Sequence, residues 1–196
     1  MTFDEYFERF EKMQRWIITD LRRSTLDAKA NFLVAMGVFN YIEVLGSFFV
    51  TDTARGHATR RFNFVFQNLL PAPYQAIFTQ LQALTTGAYD CLRCGMTHEY
   101  LIKTYTSSRG RTVDINFTIY GVDDIGGYTS NVLTKNCGVE LVQVGTNYHL
   151  RIYNPRLIHD LNLAFEEYKT RLLQNVPDYK ANFLQRCADI HLEKFE

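Results

Sequence analysis

Apolar residues recur at helical spacing from the start of the chain, at Phe3, Phe7, Phe10, Ile17 and Leu21, with polar residues between them. Thr2 and Glu5 have the form of a capping box, so the pattern predicts a first helix over about residues 3 to 23. A second segment, opened by Asp27 and Lys29, is apolar nearly all round to Val50, as expected of a helix covered on several sides. A third helical region follows, interrupted at Pro71 and Pro73, because proline removes a backbone donor and disfavours helix before it. The stretch GAYDCLRCGMTHEYLIKTY reads as the fourth helix, so residues 1–106 read as four helices in series. After SSRGR, residues 107–111, the period changes. Val113, Ile115, Phe117 and Ile119 alternate with polar residues, and VELVQVGTNYHLRIY holds two strand-like runs around Gly145, Thr146 and Asn147. The stretch between them, VDDIGGYTSNVLTKNCG, reads as loop. From Pro155 a helical pattern returns, and Pro177 separates a last amphipathic helix.

The expected architecture is mainly α. It is a four-helix bundle over 1–106, a small antiparallel β element over 107–154 and two C-terminal helices over 155–196, all in a single domain. A chain of 196 residues that is 46% hydrophobic and 21% charged can bury a substantial core and is not a disordered polymer. Its formal net charge is zero, so a nucleic-acid partner has to be held by a local basic patch rather than by the global field. Four cysteines are too few for a disulfide scaffold, and the charged, amphipathic start has no secretory apolar stretch, which points to a reducing, cytoplasmic setting. The most apolar stretch, residues 31–50, carries Asn40 and Glu43 at its middle and reads as a buried helix, not a membrane span.

The chemistry concentrates in residues 89–103, where Arg93 and His98 stand close together. Imidazole can give or take a proton near neutrality, and guanidinium is a permanent cation whose fork matches phosphate oxygens. Those two parts can cut RNA without a metal, because the ribose 2′-hydroxyl is itself the nucleophile. Five residues on a continuous helix put Arg93 and His98 about 140° apart, so convergence needs a bend near Gly95, the length of arginine or a second subunit. Arg93 and Tyr100, two turns apart, share a face. The same Arg-x4-His spacing recurs at Arg186 and His191, but with Glu193 where the first has Tyr100.

The segment Arg93-Cys-Gly-Met-Thr-His98, extended to Tyr100, resembles the Arg-x4-His-x-Tyr signature of HEPN domains, in the form found in HEPN toxin ribonucleases. The resemblance reaches only residues 1 to about 106. It implies a helical bundle, commonly a homodimer, with Arg93 and His98 of both subunits facing one cleft and cleaving RNA without metal, as a toxin or host-defence effector. It also implies that Tyr100 is a site where a nucleotidyltransferase-type antitoxin attaches nucleotides. Members often carry a polar residue where this chain has Cys94, and a HEPN-like module that binds nucleotide, RNA or protein without cutting is the alternative.

Glu43 is the second residue of note. A carboxylate in a helix apolar all round must be paired, exposed through a cleft or neutralised, and Arg93 is a partner that would satisfy both; a structural salt bridge or an exposed edge is the other reading. Arg55, His57, Arg60 and Arg61 cluster at the start of the third helix, and Lys103, Arg109 and Arg111 follow the fourth. Together they form either a phosphate-binding surface or a solvated face. Tyr120, Tyr128, Tyr148 and Tyr153 could stack on bases or simply cover a sheet. Cys91, Cys94 and His98 share a helical face and would need Cys137, Cys187 or another histidine to complete a zinc site; small buried cysteines in helix packing are the simpler reading, and no cofactor or metal is expected.

Overall fold

The computed structural model describes residues 1–50, 57–95, 102–106, 112–121, 134–174 and 178–194, with the side chains of residues 102 and 103 excepted. The fold is mainly helical with a small four-stranded sheet. Helix α1 spans Phe3–Leu26 and begins with the predicted capping box: Thr2 accepts from the Glu5 amide, and Glu5 accepts from the Thr2 amide. Helix α2, Asn31–Gly46, is the apolar central helix, with Val34, Ala35, Val38, Phe39, Ile42 and Leu45 all buried. It is shorter than the sequence pattern predicts. Lys29, at φ 50°, breaks the entry, and residues 47–50 form tight turns at the exit.

The prolines do more than interrupt the third helical region. They divide it into α3, His57–Asn68, and α4, Pro73–Leu84, so the segment bearing Arg93 is the fifth helical element, not the fourth. That segment is also not a helix running to residue 106. Tyr89–Gly95 forms a wide π-helical turn, and Ile102–Thr106 is a strand, β1. The β-branched and aromatic run Thr104-Tyr105-Thr106 pairs antiparallel with Thr112–Asp114, and that pairing overrides the helix-like spacing upstream.

Strand β2 covers Thr112–Tyr120, β3 Val139–Val144 and β4 Asn147–Tyr153, and the sheet order is β1-β2-β4-β3. The expected antiparallel element is therefore a mixed sheet. β3 and β4 form the predicted hairpin, but β4 pairs parallel with β2, Ile115 opposite Tyr148 through Tyr120 opposite Tyr153. Gly145 makes the hairpin turn with φ 63°, a conformation glycine adopts without the strain of a Cβ. Helix α5, Asn154–Leu173, leaves β4 directly, and α6, Tyr179–Asp189, is followed by a short 3-10 turn at Leu192–Lys194.

One sheet face, with Val113, Ile115, Phe117, Val139, Leu150 and Ile152 buried, packs on the helices. The core joins both ends of the chain: the Phe10 ring lies 5.0 Å from Phe48, 5.7 Å from Phe165, 5.5 Å from Tyr168 and 5.6 Å from Phe183. A buried polar cluster ties α4, β3 and α5 together. Asp160, fully buried, accepts from the Tyr74 hydroxyl at 2.8 Å, the Gly138 amide at 3.0 Å and Arg156 Nε at 2.8 Å. Burial pushes its carboxyl above the usual aspartate range, against the pull of those three donors. No helix among the described residues is long and apolar enough to cross a membrane.

Candidate functional site at the end of the central helix

Glu43 lies one turn before the end of α2, and the wide turn 89–95 carries Arg93 to it. Thr85 closes α4 by donating to the Leu81 carbonyl at 2.6 Å, and its oxygen accepts from the Gly87 amide at 3.0 Å. Gly87 then turns the chain with φ 130°. Ala88, Cys91 and Leu92 are fully buried and fasten the turn to the core, leaving Tyr89, Arg93 and Cys94 half-buried beside Glu43. A π-helical turn re-aims side chains relative to an α-helix, and such turns recur at functional sites.

Arg93 Nε stands 3.3 Å from Glu43 Oε2, with the side chains 25% and 23% exposed. The N–H is not aligned on the carboxylate oxygen, so the contact is an ion pair and not a hydrogen bond. It is the partner that a carboxylate in an otherwise apolar helix requires. Tyr89 joins the group. Its ring meets Phe62 of α3 edge-on at 5.6 Å, and its hydroxyl is pushed up to about 12, first by burial and then by the charge of Glu43 and the adjoining Cys94.

His98 and Tyr100 lie outside the described residues, as do Arg55, Arg109 and Arg111. Lys103 is placed by its backbone alone, in β1 opposite Ile115. Of the remaining predicted basic residues, Arg60 is exposed on α3, and His57 is half-buried at the first position of that helix. Arg61 turns inward and donates from Nε to the Val50 carbonyl at 3.0 Å. α3 approaches so closely here that a Cβ on Gly46 would stand 2.2 Å from the Arg61 carbonyl oxygen.

The second Arg-x4-His match does not converge. Arg186 donates from Nε to Ser47 Oγ at 2.8 Å, whereas His191, at φ 53°, is exposed and contacts Glu193 at 3.1 Å. Spacing along α6 therefore says little about Arg186. Its position beside Arg61, at the end of α2, depends on how α6 docks and carries no local signal in the sequence. Of the four tyrosines, Tyr120 and Tyr153 stack at 5.0 Å on the sheet face opposite Ile115, Phe117 and Ile152, where Tyr153 is itself buried and Lys135 covers its ring at 4.2 Å. Tyr148 points to the helix-covered face, and Tyr128 is outside the described residues.

All four cysteines are free, Cys91 and Cys187 buried and Cys94 and Cys137 half-buried. Among the described residues no three His, Cys, Asp or Glu side chains are grouped to hold a metal ion, and the zinc alternative rests on His98, which lies outside them. Compared with protein-family models, with curated proteins and with solved structures, the chain matches none.

Proposed function

We propose that this chain is a metal-independent ribonuclease of the HEPN type. The observation that carries the reading is the Glu43–Arg93 pair: a carboxylate on the central helix holds a guanidinium at a partly open surface, five residues before an imidazole. In the reaction the ribose 2′-oxygen attacks the phosphorus, the bond to the 5′-oxygen breaks, and the products are a 2′,3′-cyclic phosphate and a 5′-hydroxyl. Arg93 offsets the charge that gathers on the phosphoryl oxygens, and His98 moves the proton at the attacking or leaving oxygen. Glu43 acts through Arg93 as a positioning residue. Two subunits contribute to one cleft, and Tyr100 is where a nucleotidyltransferase partner would attach nucleotides.

RNA incubated with the protein in chelator should yield cyclic phosphate ends, and His98→Ala should abolish them. Glu43→Gln should lower cleavage roughly 10- to 100-fold, the effect of misplacing a group by about an ångström, while leaving the protein folded. Unchanged cutting by His98→Ala sinks the proposal.

A second reading is favoured by one observation: the residue after Arg93 is Cys94, where the HEPN pattern often has a polar one. In that reading the same surface binds RNA without cutting it. Binding that is insensitive to His98→Ala, with no cyclic phosphate formed, identifies it.

A further inference from the structure

Strand β3 is an edge strand, last in the order β1-β2-β4-β3. Which of its backbone groups face outward follows from its pairing with β4. The Tyr153 amide donates to the Gly138 carbonyl at 2.9 Å, and Val144 stands opposite Asn147 across the two-residue turn, so the even-numbered residues bond inward to β4. The odd-numbered ones, Val139, Leu141 and Gln143, present their amides and carbonyls to the open edge. Cys137 Sγ reaches the Val139 carbonyl from that side, donating to it at 2.8 Å. Among the described residues no hydrogen bond reaches the backbone amide or carbonyl of Leu141 or Gln143 from the edge.

Proteins blunt exposed sheet edges with proline, lysine or a bulge. The β3 sequence VELVQV has neither residue, and its register with β4 is unbroken. Between this edge and α4 run two adjoining hollows of about 370 Å³ each. One lies among Ala83, Leu84 and Gln143, the other among Pro73, Ile77 and Val139, and Gln80 and Leu141 line both. The hollows follow the strand, because the side chains of Val139, Leu141 and Gln143 project to the helix-covered face with their partners Ile152, Leu150 and Tyr148. Lys135 borders the second hollow, 4.2 Å over the Tyr153 ring, and among the described residues no carboxylate pairs with it. Glu140, the other charged group there, is taken by the Tyr153 hydroxyl at 2.8 Å and by Arg151 at 3.6 Å.

We propose that this edge takes up an extended peptide from a partner protein, which joins the four-stranded sheet as a further strand antiparallel to β3. Its backbone meets the amides and carbonyls of Leu141 and Gln143, and two apolar side chains, two residues and about 7 Å apart, enter the two hollows. An antiparallel peptide runs from the Gln143 end toward Val139, so the residue that follows the second apolar one comes to Lys135, whose charge selects an aspartate or a glutamate. A second copy of this chain fits the edge less well. Strand β3 offers six residues, whereas a stable protein interface takes about 20–30 residues a side. Peptide capture here is independent of RNA cleavage at Arg93.

The test pans a displayed library of random octapeptides against the full chain and measures the enriched sequences, made synthetically, by fluorescence anisotropy. They should carry apolar residues at i and i+2 followed by an acidic one. N-methylation of the peptide amides that face β3 should weaken binding roughly tenfold, whereas N-methylation of the alternate amides should leave it unchanged. Gln143→Pro removes an outward amide that the fold does not use and should weaken binding by a similar factor; Gln143→Thr keeps the amide and should bind as the parent does. Thermal melting checks that both variants are folded. Lys135→Gln should weaken the acidic peptides roughly threefold and leave their asparagine or glutamine counterparts unchanged. Binding that ignores the position of the methyl groups and survives Gln143→Pro overturns the edge site, and a library that enriches no such pattern overturns the peptide. A parent chain that sediments as a dimer, and Gln143→Pro as a monomer, gives the edge to a second copy and likewise overturns the peptide.

Discussion

Two glycines on α2 allow the closeness of the α2–α3 contact to be measured against an internal control. A Cβ on Gly46 would stand 2.2, 2.6 and 2.9 Å from the carbonyl oxygen, carbonyl carbon and Cα of Arg61, all backbone atoms that move only if α3 moves. A Cβ on Gly37 would meet Leu21 Cδ2 at 3.2 Å, the end of a side chain that can rotate. Both substitutions to alanine remove the glycine penalty within a helix, a gain of up to about 1 kcal/mol. Gly46→Ala must then push two packed helices apart by about an ångström, and overpacking of that kind costs about 3 kcal/mol or somewhat more. The expected net result is a loss of about 2 kcal/mol for Gly46→Ala and between no change and a gain of about 1 kcal/mol for Gly37→Ala. For a chain of this size that is a fall in melting temperature of roughly 4–8 °C against a small rise, read by circular dichroism. Equal melting temperatures for the two variants would refute the claim that backbone contact at Gly46 sets the helix spacing.

Tyr74→Phe removes one donor from Asp160 while the Gly138 amide and Arg156 remain. Loss of a hydrogen bond to a charged acceptor costs about 1.5–3 kcal/mol. The Asp160 carboxyl already sits above the usual aspartate range, so its ionisation opposes folding: the stability is fully present below that range and is lost as pH rises through the raised value. Removing Tyr74 raises the value further, so the variant's deficit in urea unfolding should be larger at pH 7 than at pH 4; equal deficits would count against it. Glu166 behaves in the opposite sense. Burial raises its carboxyl, but the hydrogen bonds from Gln14 and Lys169 and the Lys169 charge outweigh this, and the net value lies below the usual glutamate range. Its contribution is present above that range and disappears as pH falls through the lowered value, so Glu166→Gln should be less stable than the parent at neutral pH and equal to it in acid. A deficit that does not change with pH would contradict this.

Local signals in the sequence led to those elements that local physics decides. The capping box at Thr2 and Glu5, the alternation from Val113 to Ile119, the turn at Gly145 and the prolines at 71, 73 and 155 each act within a few residues, and each stands where it was expected. What was not legible depends on distant partners. Strand β1 follows a helix-like run and is strand because β2 lies beside it. The parallel pairing of β2 with β4 joins residues more than thirty apart, and no short-range pattern encodes it. Glu43 was singled out because a lone carboxylate in an apolar helix demands a partner, and Arg93 is at ion-pairing distance. Arg186 announced nothing, since only the docking of α6 brings it to Ser47. Nor did Asp160, whose three donors come from α4, from the residue before β3 and from α5.

The shared environment of Phe10 has a consequence for biosynthesis. Its ring neighbours include residues 165, 168 and 183, so the apolar stripe of α1 leaves the ribosome long before its lasting companions exist. At translation rates of about 5–20 residues per second the delay is roughly 8–35 s, ample time for a sticky helix to find a wrong partner or to need a chaperone's shelter.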